Sequence, residues 1–526
     1  MTHGSWLSKR LDPWVVLLMA AVWLAATAWM RPLAVPDEGR YAGVALEMLR
    51  SGNWLVPTLD GLPYFHKPPL FYWITAASLW LFGPHEWAAR AAPLAGAAVA
   101  SFALYAFALR WSGQPSARAS LLVLVTQPLF FIGAQFANLD MLVAGCIAAT
   151  VLALAHVALQ AEQGQTSRGV LALAYVFAAL GLLAKGLIGV ALPGLVILAW
   201  LLVLRRLRLI TALLWLPGIP LFLAIAVPWF VSMQERFPEF ADYFFIVQHF
   251  KRFAQAGFNN AQPFWFMPAA LALTTLPWIL WLPAAARPAY WNDSRLGPVR
   301  KLMWLWLVLV TIFFSIPQSK IIGYVLPTAV PLAFLIGDRI SLGWPESTRL
   351  SRLWRVGAVL AVAACMAVVA AGIAFPGKSL RDLGRTLAER AAPGEPVVFL
   401  YDYYFDVPFY AQLSAPVRVV ADWGDPQVVG RDNWSKELLD AQRFASGPAA
   451  RVLLSPAELV DTICNATTTW VVGYYTKASL EPALANATEI ARSGTTALWR
   501  VPGRPAAPVS AGSCPGTPSA NSANKS

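Results

Sequence analysis

The sequence predicts a polytopic α-helical membrane protein with a small α/β domain at its C-terminal end. Three observations predict it. Of 526 residues, 58% are hydrophobic and only 13% are charged, about half the charge of an ordinary soluble domain. Apolar runs of roughly 20 residues, the length that crosses a bilayer, recur from Trp14 to Phe375. Beyond Phe375 the composition turns polar and strand-like.

The predicted spans cover 13–30, 88–109, 119–137, 140–160, 169–184, 187–204, 209–231, 264–286, 302–317, 321–337 and 356–375, and one split or short span raises the expected total to about 11–13 helices. The net charge of +12 does not point to nucleic acid, because of where the charges lie. With Lys9 and Arg10 inside, the same-side loops carry Arg110 and Arg118, then Arg168, then Arg205, Arg206 and Arg208. They also carry Arg287, Arg295, Arg300 and Lys301, then Arg339, Arg349, Arg352 and Arg355. That alternation is the positive-inside bias of a multi-pass protein.

The expected organisation is a membrane domain over 1–375, an outside α/β domain over 376–501 and a disordered tail over 502–526. Within the first, residues 31–87 form the first outside loop. That loop holds an amphipathic stretch, Tyr41–Arg50, and an apolar, aromatic one, Pro68–Phe82, which suits a helix lying at the bilayer interface. In the α/β domain, strands are expected at Val397–Tyr401, Val417–Val420, Val452–Leu454, Trp470–Tyr475 and Leu498–Val501. The tail is Pro, Ala, Gly and Ser without periodicity. Cys146 and Cys365 lie in spans, which leaves Cys464 and Cys514 as the only two cysteines that could pair. Asn433, Asn465 and Asn486 open glycosylation tripeptides, a pattern that often arises by chance.

Chemistry-bearing residues gather on the outside face. Asp37-Glu38-Gly39-Arg40-Tyr41 follows the first span. Asp37 reads blandly as a helix N-cap with Glu38 at the positive end of the dipole, and sharply as a general base or acceptor-orienting carboxylate. His66-Lys67-Pro68-Pro69 puts an ammonium at headgroup depth, suited to a lipid-borne phosphate, although snorkelling would also place it there. Asn138-Leu139-Asp140, Lys185, the cluster His249, Lys251 and Arg252, and Gln318-Ser319-Lys320 fall at span ends on the same face. Each alone suits a helix-end anchor. Ionisable groups converging on one membrane face are functional candidates.

Together these strings resemble the bacterial branch of the protein-mannosyltransferase superfamily, and within it the aminoarabinose transferases that modify lipid A. The resemblance runs from Pro36–Gly83 through Asn138-Leu139-Asp140-Met141, Leu183–Gly189, Pro228-Trp229-Phe230 and His249–Phe253 to Ser319–Pro327. It implies a GT-C fold with interfacial helices in the first outside loop and a periplasmic α/β domain. The implied enzyme sits in the bacterial inner membrane and faces the periplasm. Asp37 matches the essential acidic residue and Lys67 a lysine near the carrier phosphate, while Asp140, Lys185 and Tyr324 match further active-site positions. Glu38, Arg40, Tyr41, Arg252 and Lys320 complete the expected substrate contacts. The sequence departs at His66, where these enzymes usually carry a glutamate that binds a divalent metal with the residue matching His249. Imidazole is also a zinc ligand, so a His66–His249 zinc site is the expectation.

The implied reaction moves a sugar, 4-amino-4-deoxy-L-arabinose by resemblance, from undecaprenyl phosphate to lipid A or another envelope glycan, with inversion. Lys67, with Lys185 or Arg252, would stabilise charge growing on the leaving phosphate. Two other readings compete: hexosyl or pentosyl transfer to protein or lipopolysaccharide core, and a flippase for lipid-linked sugars. A transporter usually shows internal repeats and mid-bilayer charge; this sequence shows neither.

Overall fold

The computed structural model describes residues 12–251, 260–343, 348–429, 433–445, 447 and 451–503. Two compact units divide the chain. The first takes residues up to Arg31 and His66–Pro376, and the second takes Pro32–Phe65 and the chain from Gly377 on. The predicted boundary at 375/376 falls beside this division, but residues 32–65, placed by sequence within the membrane domain, pack with the C-terminal part.

The first unit is helical, and every predicted span has a helix. Among the described residues, seven helices are long and apolar enough to cross a membrane: Ala91–Trp111, Leu139–Ala161, Arg168–Lys185, Gly218–Arg236, Gly297–Ser315, Ile322–Leu342 and Ser351–Ala374. Two bent pairs raise the number to nine, and Pro13–Ala25 and Ile188–Val203 are shorter apolar helices. The chain is a multi-pass membrane protein. Two spans expected to be continuous are broken, Gln114–Thr126 from Pro128–Ala134 by 68° and Phe266–Thr274 from Trp278–Ala285 by 100°. Proline lacks the N–H that would continue each helix. At the first break, the Thr126 carbonyl accepts from Cys365 Sγ at 3.5 Å, and Gln127 Nε2 donates to the Ala329 carbonyl at 3.2 Å. In a membrane, backbone groups freed by a break need such partners.

Close helix contact depends on small residues, as is usual in membranes. Helices Ala91–Trp111 and Leu139–Ala161 cross at Gly96 and Gly145, where a Cβ on either would collide with the other's backbone. Arg300, expected in a basic loop, is instead buried. Its Nε meets Asp338 Oδ2 at 2.9 Å, and Tyr290 Oη and Ser116 Oγ donate to the same carboxylate at 2.8 and 2.9 Å. An arginine without water needs such a paired carboxylate, so Arg300 acts as a helix latch rather than a solvated topology signal.

The second unit is built on a six-stranded sheet. Its strands are β3 (Val397–Leu400), β4 (Arg418–Val420), β5 (Leu453–Leu454), β6 (Thr468–Tyr474), β7 (Thr488–Ser493) and β8 (Thr496–Pro502), following a hairpin of β1 (Thr58–Leu59) and β2 (Leu62–Pro63). The order is β5-β4-β3-β6-β8-β7. The first four strands are parallel, and β8 and β7 join antiparallel. Val398, Leu400, Val420, Val471 and Trp499 form its core. Strand β7 escaped the sequence reading because it is a polar edge, pairing only with β8.

Helix Asp37–Ser51 and the β1–β2 hairpin complete this unit. The helix ends on Gly52 in the left-handed conformation, φ 67°, a backbone that glycine adopts without strain. Half-buried Glu47 clasps the hairpin, accepting from Thr58 Oγ1 at 2.8 Å and from the Asp60 and Gly61 N–H groups at 2.6 and 3.0 Å. Burial outweighs those bonds and pushes its carboxyl up to about 7. Asp60 in turn accepts the Val417 N–H at 2.8 Å, which ties the hairpin to the sheet. Cys464 is disulfide-bonded, while Cys146 and Cys365 are free. Cys514 lies outside the described residues.

Candidate active site

In the first unit, three of the expected residues come together. Asn138 caps helix Leu139–Ala161 by accepting the Asp140 N–H at 2.9 Å, which fixes Asp140 in the first turn at the positive end of the helix dipole. Lys185 is the last residue of helix Arg168–Lys185, at the negative end of its dipole. Their side chains form an ion pair, 6% and 12% exposed respectively. The Lys185 ammonium also stands 4.6 Å from the centre of the Tyr324 ring. Next to that ring, a Cβ at Gly323 would collide with the Asp140 carboxylate, so glycine is what lets the Tyr324 segment close on the pair.

The other expected residues of this unit are placed differently. Lys320 is buried and donates to the Gln262 carbonyl at 2.6 Å, stapling the segment bridged by Ala261 and Ser319. Lys67 is half-buried, just before the apolar helix Leu70–Phe82. His66 Nε2 lies 3.1 Å from Tyr243 Oη, and Gln248 Nε2 donates to the same hydroxyl at 3.0 Å. Tyr243 was not foreseen. It lies in a π-helical segment, Asp242–Lys251, a widened turn that recurs at functional sites. The His249 side chain and Arg252 lie outside the described residues. Among the described residues no group of three or more His, Cys, Asp or Glu could hold a metal. His66 is the member of the expected zinc pair whose side chain lies within them.

In the second unit, Asp37 is the first residue of helix Asp37–Ser51. Pro36 holds the cap position and makes no side-chain cap bond, so the N-cap reading of Asp37 does not describe this helix. Glu38 is fully buried and accepts the Ala34 N–H at 2.9 Å. It closes the turn into the helix. Tyr41 is buried too. Burial, then the neighbouring Tyr64 and Asp37, holds its phenol well above the ordinary range.

Arg40 links two carboxylates. Its Nη1 meets Glu437 at 2.7 Å and its Nη2 meets Asp37 at 3.4 Å. The guanidinium also lies 4.9 Å from the Phe405 ring centre. Burial works against its charge; Glu437 first, then Tyr64, Tyr41 and Asp37, more than offset it, so Arg40 is held charged. Glu437 and Tyr64 belong to this cluster and were not among the expected residues. Nothing near Glu437 in sequence signals its role, because its partner is 397 positions away.

Residues 66–231 match the dolichyl-phosphate-mannose-protein mannosyltransferase family. An undecaprenyl phosphate-α-4-amino-4-deoxy-L-arabinose arabinosyl transferase of Sodalis glossinidius is 37% identical over 58% of this chain and 54% of its own length. The match therefore spans about half of that relative. The enzyme of the same name from Pectobacterium carotovorum is 30% identical over 79% of this chain and 73% of its own length. Among solved structures, ArnT from Cupriavidus metallidurans bound to undecaprenyl phosphate superposes with a TM-score of 0.78 at 24% identity, over 92% of this chain and 97% of that one. The archaeal oligosaccharyltransferase AglB from Archaeoglobus fulgidus gives 0.54 at 14% identity, over 90% and 70%. These likenesses show the GT-C fold. With that fold, and with 30% identity over 73% of the Pectobacterium enzyme, the chain belongs to the undecaprenyl phosphate-α-4-amino-4-deoxy-L-arabinose arabinosyl transferase family.

Proposed function

We propose that the chain transfers 4-amino-4-deoxy-L-arabinose, or a closely related sugar, from undecaprenyl phosphate to a lipid A phosphate or another envelope acceptor. The observation that carries this reading is the Asp140–Lys185 pair beneath Tyr324, three positions matched on chemistry and order in a chain of this family. The acceptor oxygen attacks the anomeric carbon as the bond from that carbon to the carrier phosphate breaks. The bonding electrons leave with the phosphate, and the configuration inverts. Lys67 meets the growing phosphate charge, and such contacts are strongest where water is excluded. A hydroxyl acceptor gives its proton to Asp37; an ionised phosphate acceptor needs only to be oriented by it.

The test is transfer from the undecaprenyl-phosphate-linked amino sugar to lipid A, read by mass spectrometry of the purified chain's product. Lys67→Ala should slow transfer by roughly 10²–10³, as for loss of one oxyanion contact. Lys67→Arg should keep part of the rate, since charge survives while geometry changes. A folded wild-type chain that adds no sugar would sink the proposal, as would Lys67→Ala turning over at the wild-type rate.

The reading includes an orientation: inner membrane, with the second unit in the periplasm. The alternating Arg and Lys loops support it, and so does disulfide-bonded Cys464, since such bonds persist in oxidising compartments. A reporter fused after Arg208 should be cytoplasmic and one after Arg390 periplasmic; both on one side would refute the orientation. The reading also keeps His66 and His249 as a zinc pair. Elemental analysis should find about one zinc per chain, completed by other ligands, and the double alanine variant should lose it. Metal-free protein of full activity would reduce both to ordinary polar residues.

A further inference from the structure

We propose that Glu437, from the C-terminal part of the chain, is a positioning residue for the transfer, anchoring Arg40 so that Arg40 orients Asp37 without capturing it. The inference rests on the reaction proposed above. One guanidinium faces two carboxylates, and the contacts are unequal: 2.7 Å to Glu437 and 3.4 Å to Asp37. The inner partners Arg40 and Glu437 are each 14% exposed, whereas the Asp37 side chain is 35% exposed. The shorter, less exposed contact therefore takes most of the Arg40 charge, and the longer one is the weaker of its two ion pairs.

Glu437 is presented by a capped helix. It lies in helix Trp434–Gln442, whose N-cap Asn433 accepts the Ser435 N–H at 3.0 Å. That use of its side chain also gives Asn433 a structural role. Phe444, two residues past the helix, packs edge-on against Phe65 with ring centres 4.5 Å apart. Across the guanidinium stand the Phe405 and Tyr41 rings, at 4.9 and 5.7 Å, and Tyr64 shares a hydrogen bond with it. These neighbours pack around Arg40 beside its two carboxylates.

Without the Glu437 charge, Arg40 has one carboxylate left. Arginine and carboxylate favour a two-pronged pair, so Arg40 would close on Asp37, turn it from the acceptor and weaken it as a base. Misplacing a reacting group by about 1 Å can cost roughly 10²-fold in rate.

The experiment compares full-length wild type, Glu437→Gln, Glu437→Asp and Arg40→Met/Glu437→Gln, assayed with the undecaprenyl-phosphate-linked amino sugar and lipid A. Glu437→Gln should lower kcat by about 10–100-fold with the donor KM held within about twofold, because Glu437 touches no donor atom in this scheme. Glu437→Asp should recover part of kcat. Removing Arg40 as well should raise kcat above that of Glu437→Gln, since nothing then captures Asp37. A merely structural role predicts the opposite, with the double variant no better than the single and the loss following thermal stability. That pattern, or Glu437→Gln at the wild-type rate, overturns the inference. A wild type that transfers nothing overturns the reaction instead, so the two failures are distinct.

Discussion

Asp37→Asn is expected to fold, to bind the polyprenyl-phosphate donor and to transfer no sugar. The substitution keeps shape and removes charge. Asp37 stands at the first helical position and meets Arg40 at 3.4 Å, so its stability role lies in its charge: about 0.3–1 kcal/mol at the positive end of the dipole and about 0–1 kcal/mol in a partly exposed ion pair. A general base contributes roughly 10²–10⁴ in rate. The chemical effect should therefore far exceed the structural one. Transfer rate and thermal unfolding, measured on the same preparation, separate them. An unchanged rate would remove Asp37 from the reaction, and a large fall in melting temperature would make it a structural residue.

Asp140→Ala should be the most destabilising single change in the candidate site. It leaves the Lys185 ammonium, 12% exposed, without its carboxylate. Breaking one side of a buried pair typically costs about 3–5 kcal/mol, while replacing both sides by apolar groups is often neutral. Asp140→Leu/Lys185→Met should thus recover most of the stability that Asp140→Ala loses, yet transfer no sugar. If the double variant regains transfer, the pair only holds helices together. If Asp140→Ala unfolds no earlier than wild type, the pair is not buried as described.

Much of this architecture was legible in composition and local pattern. Apolar length marked every span, and short β-rich runs marked five of the six sheet strands. The breaks at Pro128 and Pro277 were written in the sequence too, but a proline within an apolar run shows only that a helix is interrupted, not that it bends by 68° or 100°. In the candidate site, Asp140 and Lys185 could be found because each falls at a span end, where helix geometry leaves few positions to choose from, whereas Tyr324 came only from the family resemblance. Glu38 and Lys320 show the limit of that logic. Both are ionisable residues in the expected stretches, and both turn inward to satisfy a backbone group. Arg300 misleads for the same reason, since a loop-side arginine and a buried latch look alike until Asp338 is seen beside it. Tyr243 and Glu437 depend on distant partners, which periodicity does not record.

The second unit is discontinuous in the chain, and synthesis is directional. Residues 32–65 emerge first, and the rest of their unit begins at Gly377, roughly 300 residues later. At about 5–20 residues per second, that interval is on the order of 15–60 seconds. Throughout it, helix Asp37–Ser51 has neither the Tyr410 hydroxyl that holds Leu33 nor the Glu437 carboxylate that holds Arg40. The segment that carries Asp37 is thus made long before it can acquire its native surroundings, so a ribosome that stalls before Glu437 leaves a membrane-inserted chain with that cluster unassembled.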